Sequence, residues 1–551
     1  VKVIVDRKDP AALSQFWTLG VDGDARQLTA RTLVPEIVAM DSVPRHPALP
    51  TRPSPYTPAG RVKGLLEIKA DAHGYRTIIG PDWMTVPLDL AVRPPDDVFL
   101  ETQGLLRVVL RADGWITDKD DRRFLRYTHR LTMTAGSDLV RVATTFTNLA
   151  DSKMLWVRAA RLITEVLAGA TSRPCVFGGS PLSHEIGLDC FAAGRRSESI
   201  LTQSTDVRYD VRVDGAEAGS GCRAPGWVDV GDVTLHVRHF WQQFPKRLTV
   251  AATPHTADES SRKPSALVSM DLWAGDEPLD LDQGMAKTHE VCLAVRNSTA
   301  SGPETSARVD RPLFAVAPAS WYCGSGALGE LAPFDFGAAP TYESALEAGL
   351  AEQSLRTVHG FRDFGDEYFP GGYKGAYAFV NMEYDIPHGF LSQFARTGLT
   401  KYLRAADVQV RHQADIDVNH KLGQFWKHSP RHSTYENPDF GHVFLRGLID
   451  HYHFTGDRRS RETAIEIGDW VVPRIPKKFI SGRCVGWSLL SLAALYEATW
   501  DEKYRNALNT GLDALLEQAD PRGCFAADTD SITFFLGIQA AGCIAAAEAA
   551  G

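Results

Sequence analysis

The chain holds 551 residues, 44% of them hydrophobic and 23% charged, which is enough apolar material for two or more ordinary cores. A net charge of -9 leaves no concentrated basic face, so no nucleic-acid partner is expected. No apolar run approaches the roughly 20 residues that cross a bilayer and residues 1–10 lack the apolar core of a signal peptide, so no membrane partner is expected either.

The chain opens at Val1 without a methionine and stops at Gly551 inside an Ala-rich helical run, so the expectation is that one or both natural ends are missing. Compartment and oligomeric state are not readable. Eight cysteines (Cys175, Cys190, Cys222, Cys292, Cys323, Cys484, Cys524, Cys543) have no short paired spacing, which speaks against a zinc knuckle or a CxxC redox site. Most are expected to be buried free thiols.

In chain order, residues 1–60 are expected to form an irregular leading segment, with five prolines between Arg45 and Gly60. Residues 61–315 read as an antiparallel β-sandwich. Val140, Val142, Thr144 and Phe146 alternate with Arg141, Ala143 and Thr145, and Leu235, Val237 and His239 keep a similar rhythm of two. Turns are predicted at Asp113-Gly114, at Ala135 to Ser137 and at Asp214-Gly215. Residues 316–340, rich in Gly, Ala and Pro, read as a linker.

From 341 to 551 the apolar period becomes about 3.6, the helical value. Gly389 to Gly398, Gly447 to Gly456 and Ser491 to Trp500 look like copies of one unit, at offsets of 58 and 44 residues. Each places an apolar helix before a Thr-Gly or Thr-Trp turn. The helices that follow keep apolar stripes: Leu403, Ala406 and Val410; Ala464, Ile467 and Val471; Tyr504, Leu508, Leu512 and Leu515. Repeated helical hairpins predict an α/α toroid or a helical solenoid.

Two long connections carry an unusual set of side chains: Phe361 to Pro387 and His412 to Asn437. A glycosidase would need two carboxylates, and Glu383 with Asp385, or Glu436 with Asp439, could supply them. A uronic-acid lyase needs cations or amides to neutralise a carboxylate, a base for the adjacent carbon proton and an acid for the leaving oxygen. The inventory fits the second chemistry better. His432 is taken as base and Tyr435 as acid, supported by His442 and Tyr384, with His428 as a second base candidate. Arg431, Asn381 and Lys427 are candidate donors to the enediolate, and Tyr384, His388, Trp426, Glu436 and Asn437 complete a substrate-binding set. Three histidines between 428 and 442 beside Arg431 and Tyr435 are hard to explain as packing.

Several residues have simpler readings. Asn437 before Pro438, and Asp385 before Ile386-Pro387, suit helix caps. Tyr377, Phe379, Phe425 and Trp426 could pack a helical core or stack on sugar rings. Asp415, Asp417 and His420 could hold a metal, yet such a run is more often a solvated helix end, so no metal and no cofactor is assigned.

Four runs carry a family resemblance: HFWQQFPKRLTV (His239 to Val250), MDLWAGD (Met270 to Asp276), NMEYDIPHGFLSQFARTG (Asn381 to Gly398) and HSPRHSTYENPDFGHVFLRGLIDHYHFTGD (His428 to Asp457). With the order of sandwich then toroid, they resemble the exo-acting rhamnogalacturonan lyases and their bacterial relatives, over roughly Leu105 to Gly551. The resemblance implies a polysaccharide lyase that cleaves an acidic polysaccharide or oligosaccharide by β-elimination, with pectic rhamnogalacturonan as the expected substrate. Two other readings remain open, a glycoside hydrolase on the same helical scaffold and a carbohydrate-binding protein without catalysis.

Overall fold

The computed structural model describes residues 2–4, 18–20, 27–28, 31–40, 78–79, 86–87, 91–151, 154–167, 175–179, 184–186, 197–231, 233–252, 265–295, 302–369, 378–429, 431–433, 440–475, 482–517 and 533–550. Among the described residues, large antiparallel sheets fill the N-terminal part and ten helices the C-terminal part. The chain divides into two compact units, Val1–Gln283 with Lys287–Leu313 and His359–Arg362, and Gly284–Ala286 with Phe314–Val358 and Asp363–Gly551.

The first unit is built on a ten-stranded and an eight-stranded sheet. Its longest ladder pairs Arg123–Thr134 with both Arg107–Thr117 and Leu139–Asn148, and the predicted alternation along residues 140–146 lies in the last of these. Side chains of the two sheets meet in the core. Lys246 Nζ, from the eight-stranded sheet, lies 2.8 Å from Nδ1 of His289 in the ten-stranded one, and Phe146 and Trp273 both pack on Phe361. Burial, and then the charge of Lys287, push the Lys246 amine well below the ordinary lysine range.

The turns at Ala135 to Ser137 and Asp214-Gly215 form between adjacent strands, with positive φ at Gly136, Asp214 and Gly215. Asp113-Gly114 is no turn. It lies inside the strand Arg107–Thr117, where a Cβ on Gly114 would sit 2.2 Å from the Tyr127 hydroxyl, so this glycine makes room for a ring across the ladder. His239 also leaves the strand rhythm, since Val233–Val237 ends before it and its φ is 55°. The leading segment is not irregular throughout, because Arg31–Met40 pairs with Met154–Leu167. The Pro-rich run from Arg45 to Gly60 lies outside the described residues.

The ten helices are α1 (Gly302–Asp310), in the first unit, and α2 (Ala319–Ser325), α3 (Pro340–Arg356), α4 (Ile386–Thr397), α5 (Thr400–Asp415), α6 (Arg446–Thr455), α7 (Arg458–Val471), α8 (Gly482–Thr499), α9 (Glu502–Leu516) and α10 (Thr533–Ala550) in the second. The three look-alike segments end α4, α6 and α8 with the same turn. Thr397, Thr455 and Thr499 each donate their hydroxyl to the carbonyl four residues back. The same hydroxyls accept from the backbone N–H of Leu399, Asp457 and Asp501. Gly398, Gly456 and Trp500 take the left-handed conformation that stops the helix. Asp457 and Asp501 then cap α7 and α9 by accepting from Arg459 N and Lys503 N.

The apolar stripes read from sequence are the core of this unit: Leu403, Ala406, Val410, Ala464, Ile467, Val471, Tyr504, Leu508 and Leu515 are all buried. Among the described cysteines Cys175 and Cys292 are buried, whereas Cys222 is exposed. One segment revises the sequence expectation about apolar runs. By length and composition α10 is able to cross a membrane, with mean hydropathy 1.4 over 18 residues, of which 17% are buried.

Candidate functional site

The backbone marks the place first. Asn381, Met382, Tyr384 and Asp385 all have φ between 48° and 65°, a left-handed cluster of non-glycine residues that costs on the order of 1 kcal/mol or more apiece. The surrounding bonds enforce it. The Asn381 amide donates to the carbonyls of Trp426, Lys427 and His432, so the first long connection is tied to the second. Asp385 reaches across to α6, where it accepts from Arg446 N and Gly447 N. It therefore caps a neighbouring helix rather than its own, and Gly447 permits the approach because a Cβ there would lie 2.6 Å from the Asp385 carboxylate.

This scaffold presents Glu383 to Arg483 and two histidines. Arg483 Nη2 donates to Glu383 Oε1 at 2.6 Å, His442 Nε2 lies 3.6 Å from the same oxygen, and His428 Nδ1 lies 3.5 Å from Oε2. Burial alone would raise the Glu383 carboxyl; the hydrogen bonds from His442 and Arg483 and the charge of Arg483 overcome it and hold the group down to about 2. His428 is pushed below the ordinary histidine range, by burial and by the positive charges of His442, Arg483 and Lys427, which outweigh the pull of Glu383. It is a neutral imidazole at pH 7. Tyr384, half exposed, lies under the Arg483 guanidinium at 5.6 Å, and burial together with Glu383 raises its hydroxyl, so it keeps its proton.

Of the residues picked from sequence, Asn381, Tyr384, Lys427, His428 and His442 come together here. His388 lies at the start of α4 and pairs with Asp450 at 2.6 Å; burial works against its charge, but the Asp450 carboxylate prevails and raises it. Arg431 is exposed, with its backbone N–H on Ser429 Oγ. Tyr435, Glu436, Asn437 and Asp439 lie outside the described residues.

Three assignments need correcting. His432 cannot act as the base: it is fully buried, stacked on Phe379 at 3.7 Å, and hydrogen bonds to Asp363, Asp366 and Asp417 overcome its burial and raise it to about 10. Trp426 is 3% exposed and packs inside the unit, so it offers no stacking face to a sugar. Asn381, also buried, spends its amide on three backbone carbonyls and so fixes the loops.

The reading from sequence missed two side chains. Arg483 stands at the start of α8, about fifty residues beyond the second connection, and a single arginine ahead of an apolar helix gives no local signal. Glu367 is raised to about 7 by burial and by the charge of Asp366 next to it. The supposed metal run is also split apart. Asp415 pairs with Arg459 and His420 with Glu466, while Asp417 turns inward toward His412.

No family model matches the chain, and no curated protein matches it. Among solved structures it is similar to one titled polysaccharide lyase, at 10% identity and a TM-score of 0.22, over 80% of this chain and 74% of that one. It is also similar to a galactose mutarotase related enzyme from Lactobacillus acidophilus, at 10% identity and a TM-score of 0.23, over 37% of this chain and 73% of the other. A GH36 alpha-galactosidase from Geobacillus stearothermophilus is similar at 9% identity and a TM-score of 0.21, over 39% of this chain and 29% of that one. The three titles are those of carbohydrate-active proteins; at these identities and TM-scores they assign no activity to this chain.

Proposed function

We propose that the helical hairpins belong to an α/α toroid and that the protein is a polysaccharide lyase, cleaving a uronic-acid-containing polysaccharide of the rhamnogalacturonan type by β-elimination. The observation that carries this reading is the neutral imidazole of His428 set beside the Arg483 guanidinium and the protonated Tyr384 hydroxyl. The resemblance of the runs around Asn381 and His428 to rhamnogalacturonan lyases supports it independently.

The chemistry divides among these side chains. Arg483 pairs with the uronate carboxylate and lowers the cost of the enediolate that forms beside it; its Nη1 makes no hydrogen bond among the described residues. His428 takes the proton from the carbon next to that carboxylate, the electron pair forms the new C4–C5 double bond, and the C4–O bond breaks. Tyr384 gives its proton to the departing oxygen. Glu383 stays ionised and holds Arg483 and the two histidines in place.

A hydrolase remains the second reading because Glu367, raised to about 7, is the kind of carboxyl that can serve as a general acid. Glu383, held near 2, cannot do so. The test is to offer rhamnogalacturonan I and other acidic polysaccharides and follow ultraviolet absorbance of the 4,5-unsaturated product. His428→Ala, Tyr384→Phe and Arg483→Met should each remain folded and lose on the order of 10² to 10⁴ in rate. New reducing ends without that absorbance, abolished by Glu367→Gln, would replace the lyase with a hydrolase.

A further inference from the structure

Behind the site, four side chains from separate segments converge in the interior of the second unit. Asp366, His412, Asp417 and His432 are all buried, and one ligand atom from each lies within 4.8 Å of the others. His412 Nε2 is 3.2 Å from Asp417 Oδ1, His432 Nδ1 is 3.4 Å from Asp366 Oδ2, and His432 Nδ1 is 3.6 Å from Asp417 Oδ1. A tetrahedral ion with bonds near 2.0–2.1 Å has ligands about 3.3 Å apart, so these edges already have nearly the right length.

The outer contacts orient both rings inward. His412 Nδ1 lies 3.2 Å from the Phe364 carbonyl, which can only accept, so Nδ1 donates there and Nε2 is the nitrogen that faces the carboxylates. His432 turns Nε2 to Asp363 Oδ1 at 3.2 Å and Nδ1 inward, where it also lies 3.3 Å from Asn381 Oδ1. An imidazole whose far nitrogen donates to a carboxylate or a carbonyl is the usual arrangement of a metal-bound histidine. Asp417 Oδ2 is buried and has no hydrogen-bond partner, so the protein alone does not satisfy this carboxylate. Gly365 lets the first connection close over the cluster, because a Cβ there would stand 2.5 Å from the His412 Cβ.

We propose that Asp366, His412, Asp417 and His432 form a closed structural site for a divalent first-row transition metal, with zinc as the preferred ion. Two imidazoles and two carboxylates are a borderline donor set that suits zinc, and a divalent ion balances the two carboxylates. All four ligands are protein side chains in the interior, so the site holds the two long connections together and takes no part in the reaction.

The test is metal analysis of the purified, untagged full chain, which should carry about one equivalent of zinc-class metal through gel filtration. Stripping it with a chelator should lower the melting temperature, and zinc should restore it. Cobalt in its place should give the intense visible absorption of a four-coordinate site, a readout that needs no variant to fold. His412→Gln and Asp417→Asn should abolish uptake, whereas Asp415→Asn, at the Arg459 pair, should not. A chain that takes up none of zinc, manganese, iron(II), cobalt or nickel overturns the proposal. So does uptake that survives in His412→Gln and Asp417→Asn but is lost in Glu383→Gln and His442→Gln.

Discussion

At the scale of single residues, proton affinity separates the three histidines that the sequence offered as one group. His432 faces three carboxylates, which raise its proton affinity, while His428 faces cations, which lower it. A base must be unprotonated, so a folded pKa below the ordinary 6.5 keeps His428 competent to lower pH than a free imidazole. The acid limb of kcat/KM should therefore fall below pH 6.5, and Lys427→Met, which removes one of the nearby cations, should move it upward. A limb above 6.5 in the wild type would remove His428 from the role of base. The density of histidine between 428 and 442 was legible in sequence because composition alone reveals it. Which of them is neutral was not, since that depends on Asp363, Asp366 and Arg483, brought in from distant segments.

At the scale of elements, the hairpins of the second unit were readable because their signals are local. A threonine followed by a left-handed residue stops α4, α6 and α8, and the apolar stripes that follow have the spacing of one helical face. Asp113-Gly114 misled for the opposite reason. Its glycine answers a ring on the next strand, and no local pattern distinguishes that from a turn. Glycines also set the crossing of α8 and α10. A Cβ on Gly542 would lie 2.5 Å from the Gly486 carbonyl oxygen, and one on Gly486 would lie 2.4 Å from that of Ile538, so backbone meets backbone and neither helix can yield by turning a side chain. Gly542→Leu should accordingly cost about 1–3 kcal/mol in chemical denaturation, and Gly537→Leu, with open space around it, should cost far less. Equal effects from the two would mean that the close crossing is not what the glycine serves.

At the scale of the whole molecule, the shift from a period of two to one of 3.6 separates a part dominated by long strands from a part dominated by helices, and each compact unit buries its own core. What the sequence could not convey is which titratable groups those cores enclose. In the first unit His129 is buried between Tyr127 and the neighbouring strands, with Nδ1 at 3.0 Å from Thr144 Oγ1 and no partner at Nε2. Burial lowers its pKa to about 4, against a modest opposing pull from Asp113. The unfolded chain thus binds a proton near 6.5 that the folded chain refuses until about 4. Stability from this residue is complete above pH 6.5 and is lost as pH falls toward 4, by up to about 3 kcal/mol. His289, lowered by burial and by the charges of Lys246 and Lys287, acts in the same sense, whereas the lowered carboxylates Glu101 and Asp113 lose their contribution only below their ordinary range. Hydrogen exchange along Arg123–Thr134 should therefore speed up, at a fixed intrinsic rate, between pH 6.5 and 4.5. His129→Leu should flatten that dependence and leave the steeper loss at lower pH in place. If the slope in that window is the same in the variant, the buried imidazole is not the group that weakens this unit in acid.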